Sequence, residues 1–323
     1  MPRPTPSTTL QRPDLGAIAY EYSEAASELG YIAGELMPIF ETTLQTGTYP
    51  VIPLEAFLKI QETERAPRGN YNRSDYQFKD GSYVCKDRGW EELLDDSEAA
   101  MYRRFFDAEE VAAKRAVDVI LRSREYRVAA KLMNTSNITG TSNVSIAWNT
   151  SATATPRKDV TTAKTAMRAA SGLAPNVLAM AKAVFDAVML TKEIMDAFRY
   201  TNPIEVGGEE AQRRLLAQYF GVDRILVGNA IKDGAKKGQS AVIADIWDDE
   251  YVLLAKVSTG GPDLREPCIG RTFLWTEDSP NMLVTEQYRE EKARSTVYRV
   301  RNNVDEAFIF QKAGYLLGNI IDP

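Results

Sequence analysis

The chain has 323 residues, of which 44% are hydrophobic, with a formal net charge of −6 and a mean hydropathy of −0.32. This size suffices for a buried core, and no run of about 18 uncharged apolar residues predicts a membrane span. The absence of histidine excludes His-dependent triads, His metal sites and a His pH switch. Cys85 and Cys268 are too few for a disulfide framework or a Cys-based zinc site, which favours a reducing compartment.

Charge is unevenly placed along the chain. Residues 1–64 contain 3 basic and 9 acidic side chains, and the remainder contains 36 of each. Within that remainder, residues 65–90 carry 6 basic and 3 acidic groups, whereas residues 91–100 carry 5 acidic groups and no basic one. This balance does not match a strongly basic nucleic-acid-binding protein. The alternating blocks are either solvated faces or complementary subunit surfaces.

The first 90 residues combine a polar arm with an extended segment. Residues 1–30 are interpreted as a flexible arm with a short helix near Tyr22–Leu29. Residues 31–90 favour extended structure, because Pro50 and Pro53 lack an amide N–H and restrict the residues before them.

A hairpin is predicted near the end of the extended segment. Apolar side chains alternate with polar ones on either side of a predicted turn at 79–82, namely Tyr76, Phe78, Tyr83 and Cys85. Apolar alternation also predicts a strand over 55–64. Such a projection has no visible core of its own and is marginal in isolation, so we expect it to lie on another surface.

Two helices are predicted between residues 97 and 133. Ser97 caps the first, and Asp107 with Glu110 resembles a capping box for the second. One apolar arc contains Ala113, Val117, Ile120, Leu121, Val128 and Leu132, and the opposite side carries Arg115, Arg122 and Glu125. From residue 107 to 133 the helix is about 40 Å long. It fits a structural spine or the long amphipathic helix of an α/β enzyme.

After residue 134 the chain becomes mixed α/β with short connections. Strands are predicted at 144–148, 176–179, 224–227, 242–246, 251–257, 271–275 and 295–300. Helices are predicted at 159–171, 182–189, 192–198 and 209–220, with Gly172 and Gly221 ending the first and the last. In the last helix, Ala211, Leu215 and Tyr219 are predicted to face inward.

No segment carries a specific catalytic or cofactor-binding pattern. The Gly- and Lys-rich run 228–238 lacks the spacing of a phosphate-binding P-loop and is interpreted as a surface loop. The acidic pairs 91–92 and 248–249 lie beside turns, where acidic residues are common, although acid–base chemistry or cation binding stays open for them. We therefore predict no catalytic residues, no metal site and no cofactor.

Several ordered stretches together resemble the major capsid (coat) proteins of tailed bacteriophages. They occupy residues 83–92 (YVCKDRGWEE), 95–100, 106–112, 127–134, 174–177, 199–201, 220–228 (FGVDRILVG), 270–273 and 313–317 (AGYLL). The resemblance spans roughly residues 80–320 and rests on the order and spacing of these stretches.

The resemblance implies a mixed α+β phage major capsid protein fold in five parts. These are an N-terminal arm (1–30), an extended β-hairpin loop (31–90), a peripheral domain with a long spine helix (91–156), an axial α/β domain (157–280), and a return through the peripheral domain to an axial strand (281–323). It implies a non-enzymatic subunit that forms the hexamers and pentamers of an icosahedral shell around double-stranded DNA. That shell is implied to be assembled in the host cytoplasm and located in the virion.

The arm and the extended loop are implied to lie across neighbouring subunits. The candidate contact residues are Tyr49, Pro50, Arg65, Arg68, Arg73, Tyr76 and Phe78. Further implied partners are a separate scaffolding protein, a portal and, as an option, a decoration protein. The net charge of −6 implies weak, non-specific contact with the enclosed DNA, and no membrane partner is expected.

Two other interpretations stay open at this point. A cellular nanocompartment shell that houses an enzyme would share the same fold, and gene context rather than sequence would distinguish it. A cytoplasmic α/β enzyme using carboxylate or Lys chemistry is the third interpretation. The absence of histidine and of any phosphate or nucleophile motif counts against it.

Overall fold

A computed structural model describes residues 10–11, 30–51, 58–65, 67–73, 79–102, 107–199, 208–236, 238–259, 261, 263–264 and 266–322. The chain is mixed α+β, with 32% helix and 31% strand, which confirms the predicted fold class. The predicted helix at 22–29 lies outside the described residues.

Within the described ranges the helices and strands are as follows. The helices are α1 (Ala33–Leu36), α2 (Asp96–Tyr102), α3 (Ala108–Leu132), α4 (Pro156–Ser171), α5 (Lys182–Met189), α6 (Lys192–Phe198) and α7 (Glu209–Phe220). The strands are β1 (Leu10–Gln11), β2 (Ile39–Thr42), β3 (Thr46–Val51), β4 (Lys79–Val84), β5 (Lys86–Asp95), β6 (Thr141–Asn143), β7 (Val177–Ala181), β8 (Arg224–Gly228), β9 (Ile231–Asp233), β10 (Ile243–Asp245), β11 (Val252–Ala255), β12 (Gly270–Trp275), β13 (Val284–Glu290), β14 (Ser295–Phe308) and β15 (Gly314–Gly318).

Two sheets organise the molecule. The long sheet has the order β1-β13-β14-β12-β2, with β5 also paired to β14. The 14-residue strand β14 pairs antiparallel with β13, β12 and β5, and so joins segments from across the chain. The compact sheet has the order β6-β15-β11-β7-β8. Two small hairpins, β3–β4 and β9–β10, stand apart from both sheets.

The compact sheet forms the most deeply buried part of the fold. Every residue of β7, β11 and β15 is buried, as expected for strands covered on both faces. Helices α4 and α7 end where predicted, because Gly172 and Gly221 adopt left-handed conformations with φ of 74° and 63°. The predicted inward face of α7 is rotated, since its buried residues are Leu216, Ala217 and Phe220.

Helix α3 is the predicted spine, and at 1.5 Å per residue its 25 residues span about 38 Å. Asp107 caps it by accepting hydrogen bonds from the backbone N–H groups of Glu109 and Glu110. All six residues of the predicted apolar arc are buried, and Arg115 and Arg122 are exposed. The prediction for Glu125 was wrong. It is 1% exposed, because the C-terminal half of α3 packs against α1 and the compact body as well as against the long sheet.

Three further local predictions were wrong. Residues 79–82 are not a turn but part of β4, which pairs in register with β3. The described part of the predicted strand at 55–64 has no strand structure. The segment 144–148 is irregular, and Val144, Ala147 and Trp148 are buried while Ile146 is 39% exposed. Contacts distant in sequence decide two of these segments, because residues 79–82 pair with β3 and the backbone N–H groups of Val144 and Trp148 donate to the carbonyl oxygens of Gly318 and Ile320.

Candidate subunit interface

The β3–β4 hairpin is fixed to the body by a stack of aromatic rings. Tyr83 stacks on Phe273 of β12 with ring centroids 4.2 Å apart, and Tyr49 lies 5.4 Å from the same ring. The Tyr49 hydroxyl donates a hydrogen bond of 2.6 Å to the carbonyl oxygen of Phe308. The base of the hairpin therefore packs on the long sheet of the same subunit, in line with the expectation that a hairpin with no visible core of its own lies on another surface. Tyr49, which was predicted to contact a neighbour, is 4% exposed within its own subunit.

Two glycines make room for these rings. A Cβ atom added at Gly81 would lie 2.4 Å from the Tyr49 ring, and one added at Gly47 would lie 2.7 Å from the Tyr83 hydroxyl oxygen. Each glycine stands directly across the hairpin from the tyrosine that covers it. Because a Cβ cannot be accommodated at these distances, the hairpin requires glycine at both positions.

Both cysteines lie beneath this aromatic stack as free thiols. Cys85 and Cys268 are each 1% exposed. Burial raises the pKa of the Cys85 thiol to about 11, and burial likewise raises the pKa of Cys268. The thiols therefore stay protonated and unreactive near neutral pH. This agrees with the predicted absence of a disulfide framework.

Beyond its base the hairpin loop carries the predicted basic side chains on its surface. Arg65, Arg68 and Arg73 are all exposed. The Arg65 guanidinium lies 4.8 Å from the centre of the Tyr71 ring and donates to the carbonyl oxygen of Gly69, and these contacts order the loop locally.

The remaining predicted contact residues divide between the strand and the undescribed part of the loop. Pro50 is exposed on β3, where it faces Asp80. Tyr76 and Phe78 lie outside the described residues.

A buried carboxylate, which was not predicted, fixes the root of the N-terminal arm. Glu125 accepts hydrogen bonds from the backbone N–H groups of Ile32 and Ala33, at 2.8 and 2.9 Å, and from the Trp247 indole N–H at 2.7 Å. Burial raises the pKa of this carboxyl, while its three donors lower it. The side chain thus connects α3, the start of α1 and the segment after β10.

Next to Glu125, the buried side chain of Arg124 binds the end of the arm root at Met37. Arg124 is 7% exposed and donates to the carbonyl oxygen of Met37 and to the hydroxyl of Thr272, at 3.3 and 3.2 Å. Thr272 in turn donates to the same Met37 carbonyl at 2.8 Å. The chain is therefore attached to the body through both ends of residues 32–37, and the arm departs from a fixed point.

The described residues offer little for catalysis. Among them, no group of three or more Cys, Asp or Glu side chains is arranged to hold a metal ion. No described helix is both long and apolar enough to cross a membrane. The features that stand out are a projecting hairpin, a fixed arm root and exposed charged surfaces.

Comparison with known proteins identifies the fold. No protein-family model matches the chain, and no curated protein matches it in sequence. Among solved structures, a phage-related protein from Bordetella bronchiseptica RB50 has a TM-score of 0.69 at 20% identity, covering 96% of this chain and 98% of that one. The capsid of a native GTA particle has a TM-score of 0.61 at 11% identity, covering 90% of each chain.

A third similar structure, the SrpI encapsulin of Synechococcus elongatus PCC 7942, has a TM-score of 0.51 at 13% identity, covering 88% of this chain and 85% of that one. These likenesses extend over nearly the whole of both chains in each case, so they concern the complete architecture rather than a shared motif. The chain therefore has the phage capsid fold.

Proposed function

We propose that the chain is the major capsid protein of a tailed phage. In this proposal it assembles as hexamers and pentamers into an icosahedral shell around double-stranded DNA. The observation that carries the proposal is the near-complete structural coverage of a phage-related protein and of the capsid chain of a native GTA particle, together with a separate β3–β4 hairpin whose described loop side chains are largely exposed. The protein would reside in the virion after assembly in the host cytoplasm.

We propose that the chain is divided into five parts. Residues 1–30 form the arm and 31–90 contain the extended loop. Residues 91–156 begin the peripheral domain and residues 157–280 form the axial domain. Residues 281–323 return through the peripheral domain and end in the axial domain. The pairing of β14 with β5, β12 and β13 supports such a return, because it brings the last part of the chain back to the sheet that lies along α3.

Pro50, Arg65, Arg68, Arg73, Tyr76 and Phe78 remain the proposed contact residues of the loop. A separate scaffolding protein, a portal and an optional decoration protein are proposed partners. Contact with the enclosed DNA is proposed to be weak and non-specific, since the chain carries a net charge of −6.

The test is expression of the full chain, alone and together with a candidate scaffolding protein from its native source, followed by electron microscopy. We expect closed, uniform shells. Monodisperse monomers under those conditions, with the scaffolding protein present and folded, would contradict the proposal.

A cellular nanocompartment shell is the second candidate, because an encapsulin chain shares the fold over 88% of this chain. The contents of particles purified from the native source separate the two functions. Packaged DNA of genome length supports the phage capsid. A single enclosed enzyme, identified by mass spectrometry, supports the nanocompartment.

A further inference from the structure

Helix α4 presents one exposed face whose charged side chains are all cations. The 16 residues of the helix contain four basic side chains and one acidic one. The acidic one, Asp159, is half-buried and accepts a hydrogen bond of 3.0 Å from the Trp148 indole N–H. The opposite side of α4 packs in the core through Val160, Ala163 and Met167. The exposed face therefore carries a positive charge that the helix itself does not balance.

Two of the four cations are bound within the subunit and two are not. The Arg157 guanidinium lies 4.9 Å from the centre of the Tyr219 ring. Lys164 donates to two carbonyl oxygens at the C-terminal end of α7, at 3.0 and 2.6 Å. Lys158 and Arg168 are exposed, and among the described residues no carboxylate oxygen lies within 4.0 Å of their side-chain nitrogens. These two side chains are therefore available to a partner.

The two available cations lie on one stripe of the helix surface. Lys158, Thr161, Thr165 and Arg168 follow one another at spacings of three, four and three residues, which places them on the same side of α4. Lys158 and Arg168 are about 15 Å apart along the helix axis. The hydroxyls of the two threonines donate to backbone carbonyl oxygens one turn earlier in the helix. The surface between the cations is therefore small and uncharged, so an extended polyanion can approach the helix closely.

The neighbouring helix α7 shows that this imbalance is particular to α4. The sequence of α7 contains two acidic and two basic side chains, and they form the pairs Glu209–Arg213 and Glu210–Arg214 one turn apart. In α4, by contrast, Lys158 lies in the first turn, where the helix dipole makes a cation unfavourable. Stabilisation of the helix thus does not account for this cation, whereas an anionic partner does.

We propose that the exposed face of α4 binds the phosphate backbone of double-stranded DNA, with Lys158 and Arg168 each contacting a phosphate. This inference rests on the proposed capsid function and specifies the surface through which a subunit contacts the enclosed DNA. B-DNA carries one phosphate per about 3.4 Å of helix axis on each strand, so a stripe about 15 Å long meets several phosphates. Two cations per subunit give a weak contact that carries no sequence information. Repetition over many copies multiplies its strength.

Neutralising the two cations tests the proposed surface. Binding of the unassembled full-length chain to a short duplex DNA of mixed sequence is measured by fluorescence anisotropy between about 50 and 200 mM salt. For Lys158→Gln/Arg168→Gln we expect an affinity at least about tenfold lower at the lowest salt concentration. The slope of the logarithm of the binding constant against the logarithm of the salt concentration is expected to fall by about two, because two phosphate contacts are lost.

Two variants serve as matched controls. Arg115→Gln/Arg122→Gln removes the same charge from the spine helix, where these arginines lie 3.7 and 2.7 Å from Glu92 and Asp118. This variant is expected to bind DNA like the wild type, and so is Lys158→Arg/Arg168→Lys, which keeps the charge of the α4 face. Equal losses of affinity in the α4 and spine-helix glutamine variants would overturn the inference. Tighter binding of the wild type to polyglutamate than to the duplex would also overturn it and would assign the face to an acidic protein segment.

Assembly of the same variant separates this inference from the proposed function. Lys158→Gln/Arg168→Gln is expected to form shells like the wild type in electron micrographs, because the face is assigned to DNA and not to a neighbouring subunit. Shells from the wild type but none from the variant would make α4 a subunit contact, which overturns the inference and leaves the shell function standing. If the wild type itself forms no shells, the proposed function fails, and the anisotropy measurement still decides whether α4 binds DNA.

Discussion

The compact sheet and the β3–β4 hairpin are both built from short strands, yet they owe their structure to different causes. In the compact sheet every side chain of the three central strands is buried, so apolar burial alone accounts for the strands. In the hairpin only Tyr49 and Tyr83 are buried, and both rest on Phe273 of another sheet. The body is therefore stabilised from within, whereas the described strands of the hairpin are stabilised where their tyrosines rest on another sheet.

The largest expected effect is at the centre of the compact sheet. Leu254 is fully buried on β11, and Leu254→Ala is expected to lower the free energy of unfolding by about 3–5 kcal/mol through lost burial and a residual cavity. Chemical denaturation measures this change. Leu58→Ala in the hairpin loop is the matched control and is expected to cost less than about 0.5 kcal/mol, since that side chain is 61% exposed. Equal losses in the free energy of unfolding for the two variants would contradict this difference between the compact sheet and the hairpin loop.

A smaller loss is expected at Glu125, which joins the arm root to the body. Glu125→Gln keeps the shape of the side chain. It places an amide N–H₂ against a backbone N–H group that donates to the carboxylate in the wild type. We expect the free energy of unfolding to fall by about 1–3 kcal/mol. The loss is expected to be smaller in a measurement at pH 8 than at pH 5. Burial raises the pKa of the native carboxyl, so the wild type itself loses stability as pH rises above the pKa of the unfolded state. A variant as stable as the wild type would show that the three hydrogen bonds contribute nothing net.

The two buried thiols report on opening of the base of the hairpin. At pH 8, Cys85 is expected to react with a thiol reagent at least about 100-fold more slowly in the native protein than in denaturant, because it is buried and its pKa is raised to about 11. Tyr83→Ala is expected to accelerate the reaction by opening the hairpin base. If the variant reacts no faster than the wild type, the aromatic stack does not control access to the thiol.

The smallest expected effect on stability comes from removing the arm. Among the described contacts, deleting residues 1–30 removes the pairing of Leu10–Gln11 with β13 and the hydrogen bond that the Asn229 N–H donates to the Gly30 carbonyl oxygen. We expect a change of less than about 1 kcal/mol in the free energy of unfolding, and a loss of shell formation by electron microscopy. Shells formed by the truncated chain would show that the arm is dispensable for assembly.

The sequence predicted local structure best where the determining residues were close together. The helices at 182–189, 192–198 and 209–220 have their predicted bounds, and Gly172 and Gly221 end their helices as predicted. Strand β5 was missed because its sequence, KDRGWEELLD, is charged and lacks apolar alternation. It is held by pairing with β14, more than 200 residues later in the chain.

The candidate interface was predicted only in part for the same reason. Arg65, Arg68 and Arg73 are exposed in a projecting loop, in keeping with a role in contact that remains a proposal. The burial of Tyr49 within its own subunit was not predicted, because its partner, Phe273, is 224 positions away and no local pattern indicates it. The burial and hydrogen bonds of Glu125 could not be predicted either, because its donors come from two segments distant in sequence.

The three hydrogen bonds to Glu125 also make folding of the arm root and the body cooperative. A buried carboxylate that loses one donor is left with an uncompensated desolvation cost. Detachment of either segment therefore also destabilises the attachment of the other. Residues 30–37 and the chain around Trp247 are therefore expected to exchange their protected amide hydrogens together, as one unit, in native-state hydrogen exchange.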